Sequence, residues 1–526
     1  MSLLRKLRTN DATLSLVLAL ALAWPLWFVS FPPYQDLYGH GATIEVLRHL
    51  RDYPEFEASG YLRSNACITT LGVLATRFVS VPLFMKAFSS LTIFMTSYGL
   101  LRFVRAFRKG GDSLEVVPFL LPLVHHWFIS MGMLNYSLGY AVVLLLVANA
   151  KFHADDPNAR FPWSSLLLAA LSFFCHPLPN LLGVPFALGA MYASAPDAKI
   201  TKRALAGLSP LFVGALASLG SFAVHFATAK ADHARIVGSG TAESLAWNEP
   251  TWVLYDAFAQ SLWGMTKASI SSVVVCALLV YCGLLRKQTS KRVRLLFIVI
   301  LALYIVTPYR AFGVYAGSPR LLLFLWPVAL LAIPSKPHRG MLAAAAVASF
   351  AYVIGMNIDV FRLAKEGDHV AYATNAIPER ARVLPLFFAT RKVSENTRNL
   401  DSISSMYVWM RHTNAVDVWD HSSAYPIVRI EPPPAGMTRA RLLAFEAKAS
   451  PEAYKSDCRK QGIAAEACAV GYHGLLHDFF TDAASGYSHI VLWAAPEGTI
   501  GAAFPLYRPV LHDRELVVLE RTGVKL

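Results

Sequence analysis

The chain has 526 residues, of which 55% are hydrophobic and 16% are charged. Soluble domains carry about 25% charged residues, and the shortfall here is concentrated in long apolar runs. The formal net charge of +14 comes from short basic clusters between those runs, which is typical of membrane topology and argues against nucleic acid as a partner. Six cysteines in this length exclude a fold built on disulfides.

The apolar runs predict a polytopic α-helical membrane protein with about eleven transmembrane helices, since roughly 20 apolar residues cross the bilayer core. The first run follows a basic stretch and ends at Pro32-Pro33 without a small-residue cleavage site, so we interpret it as an uncleaved helix. The predicted spans are 13–31, 82–101, 114–131, 134–150, 163–176, 178–194, 205–228, 268–285, 295–309, 319–334 and 340–357.

Basic residues predict the orientation of these spans, because Lys and Arg accumulate in short cytoplasmic loops. One set of alternate loops holds nineteen of them: Arg5, Lys6, Arg8, Arg102, Arg105, Arg108, Lys109, Lys151, Arg160, Lys199, Lys202, Arg203, Arg286, Lys287, Lys291, Arg292, Arg294, Lys336 and Arg339. The pattern predicts a cytoplasmic N-terminus, and an odd number of spans puts the C-terminus outside. We expect the bacterial inner membrane as the location.

Residues 358–526 differ in character from the membrane domain, residues 1–357, and predict a small extracytoplasmic α/β domain. The expected strands are Arg382–Phe388, Tyr425–Ile430, His489–Trp493 and Glu515–Glu520, and the expected helices are Asn399–Arg411 and Thr438–Ala449. Cys458 and Cys468 lie ten residues apart in this domain. An oxidising exterior would permit a disulfide between them, and two free thiols are the alternative.

Two outer loops are longer than turns. The first covers about 32–81, and its segment Asp36 to Leu50 has apolar residues at helical spacing, which predicts a juxtamembrane helix lying on the bilayer. The second runs from Ala229 to Lys267.

The predicted topology places several polar residues on the outer side: His40, His125, His126, Asn135, His176, Asn180, His225, Arg310 and Arg320. Polar groups at membrane depth usually face a cavity or one another, so their joint placement suggests a polar cavity open to the outside. Each residue taken alone is better explained as a group reaching the lipid headgroups.

The first outer loop opens with Phe31-Pro32-Pro33-Tyr34-Gln35-Asp36, an acidic residue directly after the first helix. This arrangement resembles the C-type (GT-C) superfamily of polytopic membrane glycosyltransferases, such as the protein mannosyltransferases and the aminoarabinose transferases. The turn Gly132-Met133-Leu134-Asn135-Tyr136, the start of a late span at Pro319-Arg320 and the outer C-terminal domain agree with it. The resemblance implies a polyprenyl-phosphate-linked sugar donor and an essential acid in the first loop.

Asp36 is therefore the candidate catalytic carboxylate, either as the base that deprotonates an acceptor hydroxyl or as the ligand of a divalent metal. Relatives often carry two acids here, whereas Asp36 stands between Gln35 and Leu37, so a second acid would come from Glu45 or from Asp52, Glu55 or Glu57. His40 would share a helix face with Asp36 and either bind substrate or metal with it or orient it. The competing explanation of Asp36 is a helix cap.

Arginines are the candidate partners of the departing phosphate, because a guanidinium binds phosphate with two parallel hydrogen bonds. The candidates are Arg310, Arg320 and Arg235, and the candidates for further substrate contacts are His125, His126, His176 and Asn135.

The function predicted from these residues is inverting transfer of a sugar from a polyprenyl-phosphate carrier to an acceptor outside the cytoplasm. Two alternatives are a transporter or flippase of lipid-linked sugars and a noncatalytic scaffold of envelope assembly. A transporter is expected to show repeated halves with paired broken helices, which the sequence does not display.

We predict that a reporter active only in the cytoplasm is silent when fused after Leu526, because the nineteen basic residues place their own loops in the cytoplasm and the C-terminus on the opposite side. The same reporter fused in the basic loop near Lys287 is the matched control and should be active. Activity of the C-terminal fusion would contradict the outer location of the first loop and of the C-terminal domain.

Overall fold

The structure is a computed structural model that describes residues 10–61, 63–108, 113–195, 197, 199–236, 246–247, 249–251, 253, 266–309, 317–388, 400, 402–414, 426–496 and 498–523. The chain divides into two compact units. We call Met1–Val29, Gly60–Leu71 and Leu83–Phe361 the helical unit, and Ser30–Ser59, Gly72–Pro82 and Arg362–Leu526 the mixed unit. The first outer loop thus belongs largely to the unit that contains the C-terminal residues.

Helices dominate the chain up to residue 371. They are α1 (Asp11–Ala23), α2 (Gln35–Arg48), α3 (Cys67–Ala75), α4 (Val81–Phe107), α5 (Val117–Val124), α6 (Trp127–Ser130), α7 (Leu134–Asp155), α8 (Ser164–Cys175), α9 (Pro177–Ser194), α10 (Lys202–Ile236), α11 (Thr266–Val280), α12 (Lys291–Val306), α13 (Gly317–Leu331) and α14 (Arg339–Ala371). A π-helical turn, Tyr281–Leu285, continues α11. Helix is the expected state of long apolar runs, because it satisfies every backbone hydrogen bond within the segment.

Five helices in the described part of the chain are long and apolar enough to cross a membrane: Val81–Phe107, Leu134–Asp155, Lys202–Val224, Lys267–Leu285 and Arg339–Ala376. Ten of the eleven predicted spans each overlap one main helix, whereas span 114–131 is divided between α5 and α6. Several of these helices are too short to cross unaided. The 12 residues of α8, for example, extend about 18 Å at 1.5 Å per residue, against about 30 Å of hydrocarbon. The fold is that of a helical membrane-type protein.

The mixed unit contains a four-stranded sheet in the order β2-β4-β6-β5. Its strands are β2 (Val383–Phe387), β4 (His489–Trp493), β5 (Tyr507–Asp513) and β6 (Leu516–Arg521), with β2 parallel to β4 and the other neighbours antiparallel. All five residues of β4 are buried, which explains the unbroken apolar run Ile490 to Trp493, since a central strand covered on both faces has no solvent side. The predictions for β2, β4 and β6 are confirmed, whereas β5 was not predicted.

A second, two-stranded sheet joins the first outer loop to the C-terminal part of the chain. Strand β1 (Phe56–Ala58) pairs antiparallel with β3 (Ile427–Arg429), with Phe56 opposite Arg429. The guanidinium of Arg429 lies 4.3 Å from the centre of the Phe56 ring, a cation–π distance. Both strands have three residues, too few for an alternating pattern, and β1 was not predicted.

The helices of the mixed unit after residue 371 are α15 (Met406–Arg411), α16 (Arg439–Lys448), α17 (Pro451–Lys460), α18 (Ala465–Ala484) and α19 (Thr499–Ala502). The prediction of α16 is confirmed, and the hydroxyl of Thr438 caps it by accepting from the backbone N–H of Arg441. The apolar core packs α16 and α18 on the sheet, with Phe445 and Phe479 stacked. A disulfide joins Cys458 to Cys468, with a Cα–Cα distance of 6.0 Å, and ties α17 to α18.

Helix α2 packs against α15 through aromatic rings and one glycine. The ring of Trp409 stacks on Phe31 at 5.2 Å and on Tyr38 at 6.4 Å between centroids. A Cβ added to Gly41 would lie 2.8 Å from a ring carbon of Trp409, closer than two carbons approach. Glycine at position 41 therefore permits this close approach of the two helices.

We predict that Gly41→Ala destabilises the mixed unit. Alanine gains up to about 1 kcal/mol of helix propensity over glycine, but overpacking against a rigid indole costs about 1–3 kcal/mol, so the net effect lowers the melting temperature in detergent solution. The control is Gly474→Ala in α18, where nothing lies within 4 Å of an added Cβ and the melting temperature should hold or rise. Equal shifts for both variants would contradict the packing argument.

Candidate functional site

Helix α2 carries the acids expected in the first outer loop. It begins at Gln35, and Tyr34 holds the cap position without a side-chain hydrogen bond. Asp36 lies in the first turn of the helix, two positions after the cap, so the capping explanation of Asp36 is wrong. A carboxylate in the first turn still interacts favourably with the helix dipole, by about 0.3–1 kcal/mol.

The helix is enclosed by protein: every residue from Asp36 to Leu47 is buried. The exposed fractions of Asp36 and His40 are both 4%, and that of Glu45 is 3%. The expected helix over Asp36 to Leu50 is thus confirmed in position, at Gln35–Arg48. Its residues 36–47 are surrounded by protein, which the prediction of a helix lying on the bilayer did not include. Polar side chains are rarely buried without a function or a partner, which makes this helix the first candidate region.

His40 lies one helical turn after Asp36, in the same buried environment. Burial lowers its pKa to about 4, because desolvation disfavours the charged imidazolium. The imidazole is therefore neutral at pH 7. It can donate or accept a hydrogen bond beside Asp36, but it does not supply positive charge there.

Glu45 is the centre of a group of four ionisable side chains. Its Oε1 lies 2.7 Å from Nδ1 of His49 and 3.1 Å from Nδ1 of His412, and its Oε2 lies 3.3 Å from a guanidinium nitrogen of Arg48. His49 is four residues beyond Glu45 at the end of α2, whereas His412 follows α15. Neither histidine was predicted. The spacing of Glu45 and His49 was a usable signal, but no sequence pattern links them to His412.

The sequence suggested a metal ligand at Asp36, but the convergent ligand atoms lie at other residues. Among the described residues, ligand atoms of three His, Cys, Asp or Glu side chains converge within 4.8 Å of one another at Glu45, His49 and His412. Asp36 does not belong to this group. The role of Asp36 as a base or as a metal ligand therefore stays a prediction.

In the helical unit, Arg320 is the buried cation that the sequence predicted. It lies on α13 with an exposed fraction of 6%. Its guanidinium carbon is 4.4 Å from the ring centre of Tyr136 and 5.4 Å from that of Phe128. The hydroxyl of Tyr136 donates to the backbone carbonyl of Arg320 at 3.2 Å. These aromatic faces stabilise a buried positive charge by cation–π attraction.

Two predicted histidines border the same aromatic cluster. The ring of His176 meets Tyr136 edge-on at 5.3 Å, and that of His126 meets Phe128 at 6.1 Å. His176 also caps α9, since its Nδ1 accepts from the backbone N–H of Leu178. Within the described part of the chain, neither ring nitrogen of the fully buried His126 has a hydrogen-bond partner. The structure therefore brings Arg320, His126 and His176 together.

His125 and Asn135 make contacts that hold the backbone. The hydroxyl of Tyr352 donates to the carbonyl of His125 at 2.5 Å, where α5 ends. The amide nitrogen of Asn135 donates to the carbonyl of Asn65 at 2.8 Å, and its oxygen accepts from the N–H of Ile68 at 2.9 Å. These bonds give both residues a structural role in joining segments of the helical unit.

The remaining predicted arginines lie outside the described residues. Arg310 falls between the ranges that the structure describes, and the side chain of Arg235, whose backbone lies in α10, is likewise outside them. The predicted site residues divide between the two units, with Asp36, His40 and Glu45 in the mixed unit and the others in the helical unit.

A scan of the sequence against models of known protein families finds no match, and a search of curated proteins finds no similar sequence. Functional conclusions therefore depend on the residues described above.

We predict that His40 makes the protein less stable as the pH falls from about 6.5 to about 4. The unfolded histidine, with a pKa near 6.5, binds a proton throughout this range, whereas the folded one, with a pKa of about 4, does not. Stability therefore falls by up to about 3 kcal/mol, at 1.36 kcal/mol per pKa unit. The loss is complete once the pH is below the folded pKa.

The measurement is thermal unfolding at a fixed scan rate from pH 4 to 7.5, for the wild type and for His40→Gln. Other buried histidines titrate in this window, so the difference between the two proteins isolates His40. His512→Gln, a change at an exposed strand position, is the control and should follow the wild type. Parallel pH profiles for the wild type and His40→Gln would contradict the prediction.

Proposed function

We propose that this protein is an inverting glycosyltransferase of the bacterial inner membrane, built on about eleven spans. It takes a sugar from a polyprenyl-phosphate-linked donor and transfers it to an acceptor outside the cytoplasm. The N-terminus is cytoplasmic, and the first outer loop and the residues after α14 are extracytoplasmic.

Two observations support the membrane location and the orientation. Five described helices have the length and composition of membrane spans. The disulfide between Cys458 and Cys468 supports an oxidising compartment for the residues after α14, because cytosolic proteins rarely keep structural disulfides.

The observation that carries the proposed activity is the burial of Asp36 in the first turn of α2. The cap position of the helix belongs to Tyr34 and not to Asp36. The acid also occupies the loop position at which the resemblance to C-type glycosyltransferases implies an essential carboxylate. A buried carboxylate at that position supports a role as the general base.

The proposed transfer needs a base for the acceptor hydroxyl and a leaving group on the donor sugar. The acceptor hydroxyl oxygen attacks the anomeric carbon of the donor from the face opposite the phosphate, and its proton passes to the carboxylate of Asp36. The bond between the anomeric carbon and the phosphate oxygen breaks, and the electron pair departs with polyprenyl phosphate. A single displacement of this kind inverts the anomeric configuration.

Within the helical unit, Arg320 is proposed to bind an anionic group such as a phosphate. A guanidinium offers paired N–H donors that match two phosphate oxygens, and the cation–π contact with Tyr136 supports a charge that is in place before an anion binds. His126 and His176, which border the same aromatic rings, are proposed to offer hydrogen bonds to the same anionic group.

We predict that Asp36→Asn abolishes transfer while the protein still folds. Asparagine has nearly the shape of aspartate but is a very weak base, and general-base catalysis contributes about 10²–10⁴-fold in rate. The assay uses detergent-solubilised membranes supplied with polyprenyl-phosphate-linked hexoses and pentoses, and measures polyprenyl phosphate by mass spectrometry. A detergent extract has no separate compartments, so a transporter or flippase would release none.

The control is Asp478→Asn on α18, which changes an exposed aspartate to asparagine and should leave transfer unchanged. Folding of both variants is checked by gel filtration and melting temperature. A folded Asp36→Asn protein that keeps activity within a few fold of the wild type would end the role of Asp36, and Glu45 would then be the next candidate. Absence of release by the wild type on every donor would reject the transferase.

A further inference from the structure

Glu45, His49 and His412 have the chemical composition of a metal site. Two imidazoles and one carboxylate are a ligand set found in zinc enzymes, where three protein ligands leave a further position open. Imidazole nitrogen also suits Cu²⁺, Ni²⁺ and Fe²⁺, whereas Mg²⁺ and Ca²⁺ prefer oxygen ligands alone. The composition therefore points to a transition metal of the zinc class.

The distances suit such an ion. Glu45 Oε1 lies 2.7 Å from Nδ1 of His49 and 3.1 Å from Nδ1 of His412, and all three ligand atoms fall within 4.8 Å of one another. An ion about 2.0–2.1 Å from each ligand in tetrahedral geometry holds its ligand atoms about 3.3 Å apart. Small side-chain rotations would bring the three atoms to that spacing.

Contacts other than those among the ionisable side chains hold Glu45 and His49 on one helix and His412 beside them. Glu45 and His49 are joined across the last turn of α2, where the N–H of His49 donates to the carbonyl of Glu45 at 3.1 Å. The packing of Trp409 on Gly41 places α15 against α2, and His412 ends α15. His412 adopts φ 52° and ψ 35°, a left-handed conformation in which histidine, asparagine and aspartate are enriched among the non-glycine residues.

Burial and charge favour a cation here. The Glu45 carboxylate is buried, while the side chains of His49 and His412 are 35% and 40% exposed. An ion can therefore enter from solvent past the histidines and bind the desolvated carboxylate. Arg48 contacts the other carboxylate oxygen at 3.3 Å and would orient Oε1 toward the ion, as outer-shell partners do for metal ligands.

We propose that Glu45, His49 and His412 bind one divalent transition-metal ion of the zinc class and thereby fasten the end of α2 to the segment after α15. The competing explanation is a metal-free cluster in which the carboxylate accepts hydrogen bonds from the two imidazoles. This inference does not depend on the proposed transferase activity.

The test is metal uptake by the full-length protein, purified in detergent and stripped with a chelator. Calorimetric titration with Zn²⁺ should give one tight equivalent for the wild type. His412→Asn, His49→Gln and Glu45→Gln should each weaken it by more than about 100-fold, beyond the 10–100-fold that losing an outer-shell partner costs. Asparagine is chosen at position 412 because it tolerates the left-handed conformation.

The control is His512→Ala, which removes an exposed histidine of the same unit and should leave the tight equivalent intact. Co²⁺ gives a second readout that needs no variant, since a site of low coordination number produces visible absorption bands that hydrated Co²⁺ lacks. A wild-type protein that neither takes up one tight equivalent of Zn²⁺ nor shows those Co²⁺ bands would overturn the proposal. Equal uptake by the wild type and the three ligand variants would also overturn it.

Discussion

Removing a carboxylate from water costs several kcal/mol unless other groups replace its hydration, and α2 carries two buried carboxylates, Asp36 and Glu45. For Glu45, the groups that replace water come from the same helix and from a segment far along the chain. Arg48 and His49 approach from the same helix, and His412 approaches from residues that follow α15. The position of α15 beside α2 is therefore an electrostatic requirement as well as an apolar contact.

The helical unit also buries a charged group, the guanidinium of Arg320, whose lost hydration must likewise be replaced. Arg320 lies against the faces of Tyr136 and Phe128, whose π electrons attract the guanidinium without adding a formal negative charge. The aromatic rings stabilise the charge inside the helical unit without neutralising it.

Much of the architecture could be predicted from the sequence because apolar runs longer than 15 residues have few other structures available to them. Strands β2, β4 and β6 were predictable for a related reason, since their apolar stretches are bounded by polar turns. The strand predicted at Tyr425–Ile430 is confirmed as β3, which is shorter, at Ile427–Arg429. The sequence could not reveal β1, whose three residues carry no periodic signal, or the partnership of Glu45 with His412, which depends on tertiary contact. The burial of α2 on all sides was also missed, because apolar residues at helical spacing indicated a helix with only one apolar face, lying on the bilayer.

The pairing of β1 with β3 has a consequence for how the protein is made. Phe56 and its partner Arg429 are separated by more than 370 positions, which take about 20–70 s to synthesise at 5–20 residues per second. During that time the segment Ser30–Ser59 is made but the chain that completes its unit is not. A strongly apolar segment would be prone to aggregate over such an interval. The acids and histidines of α2 can instead be hydrated until the rest of the unit has been synthesised. The polar composition of this helix is thus compatible with two successive environments, water during biosynthesis and the protein interior afterwards.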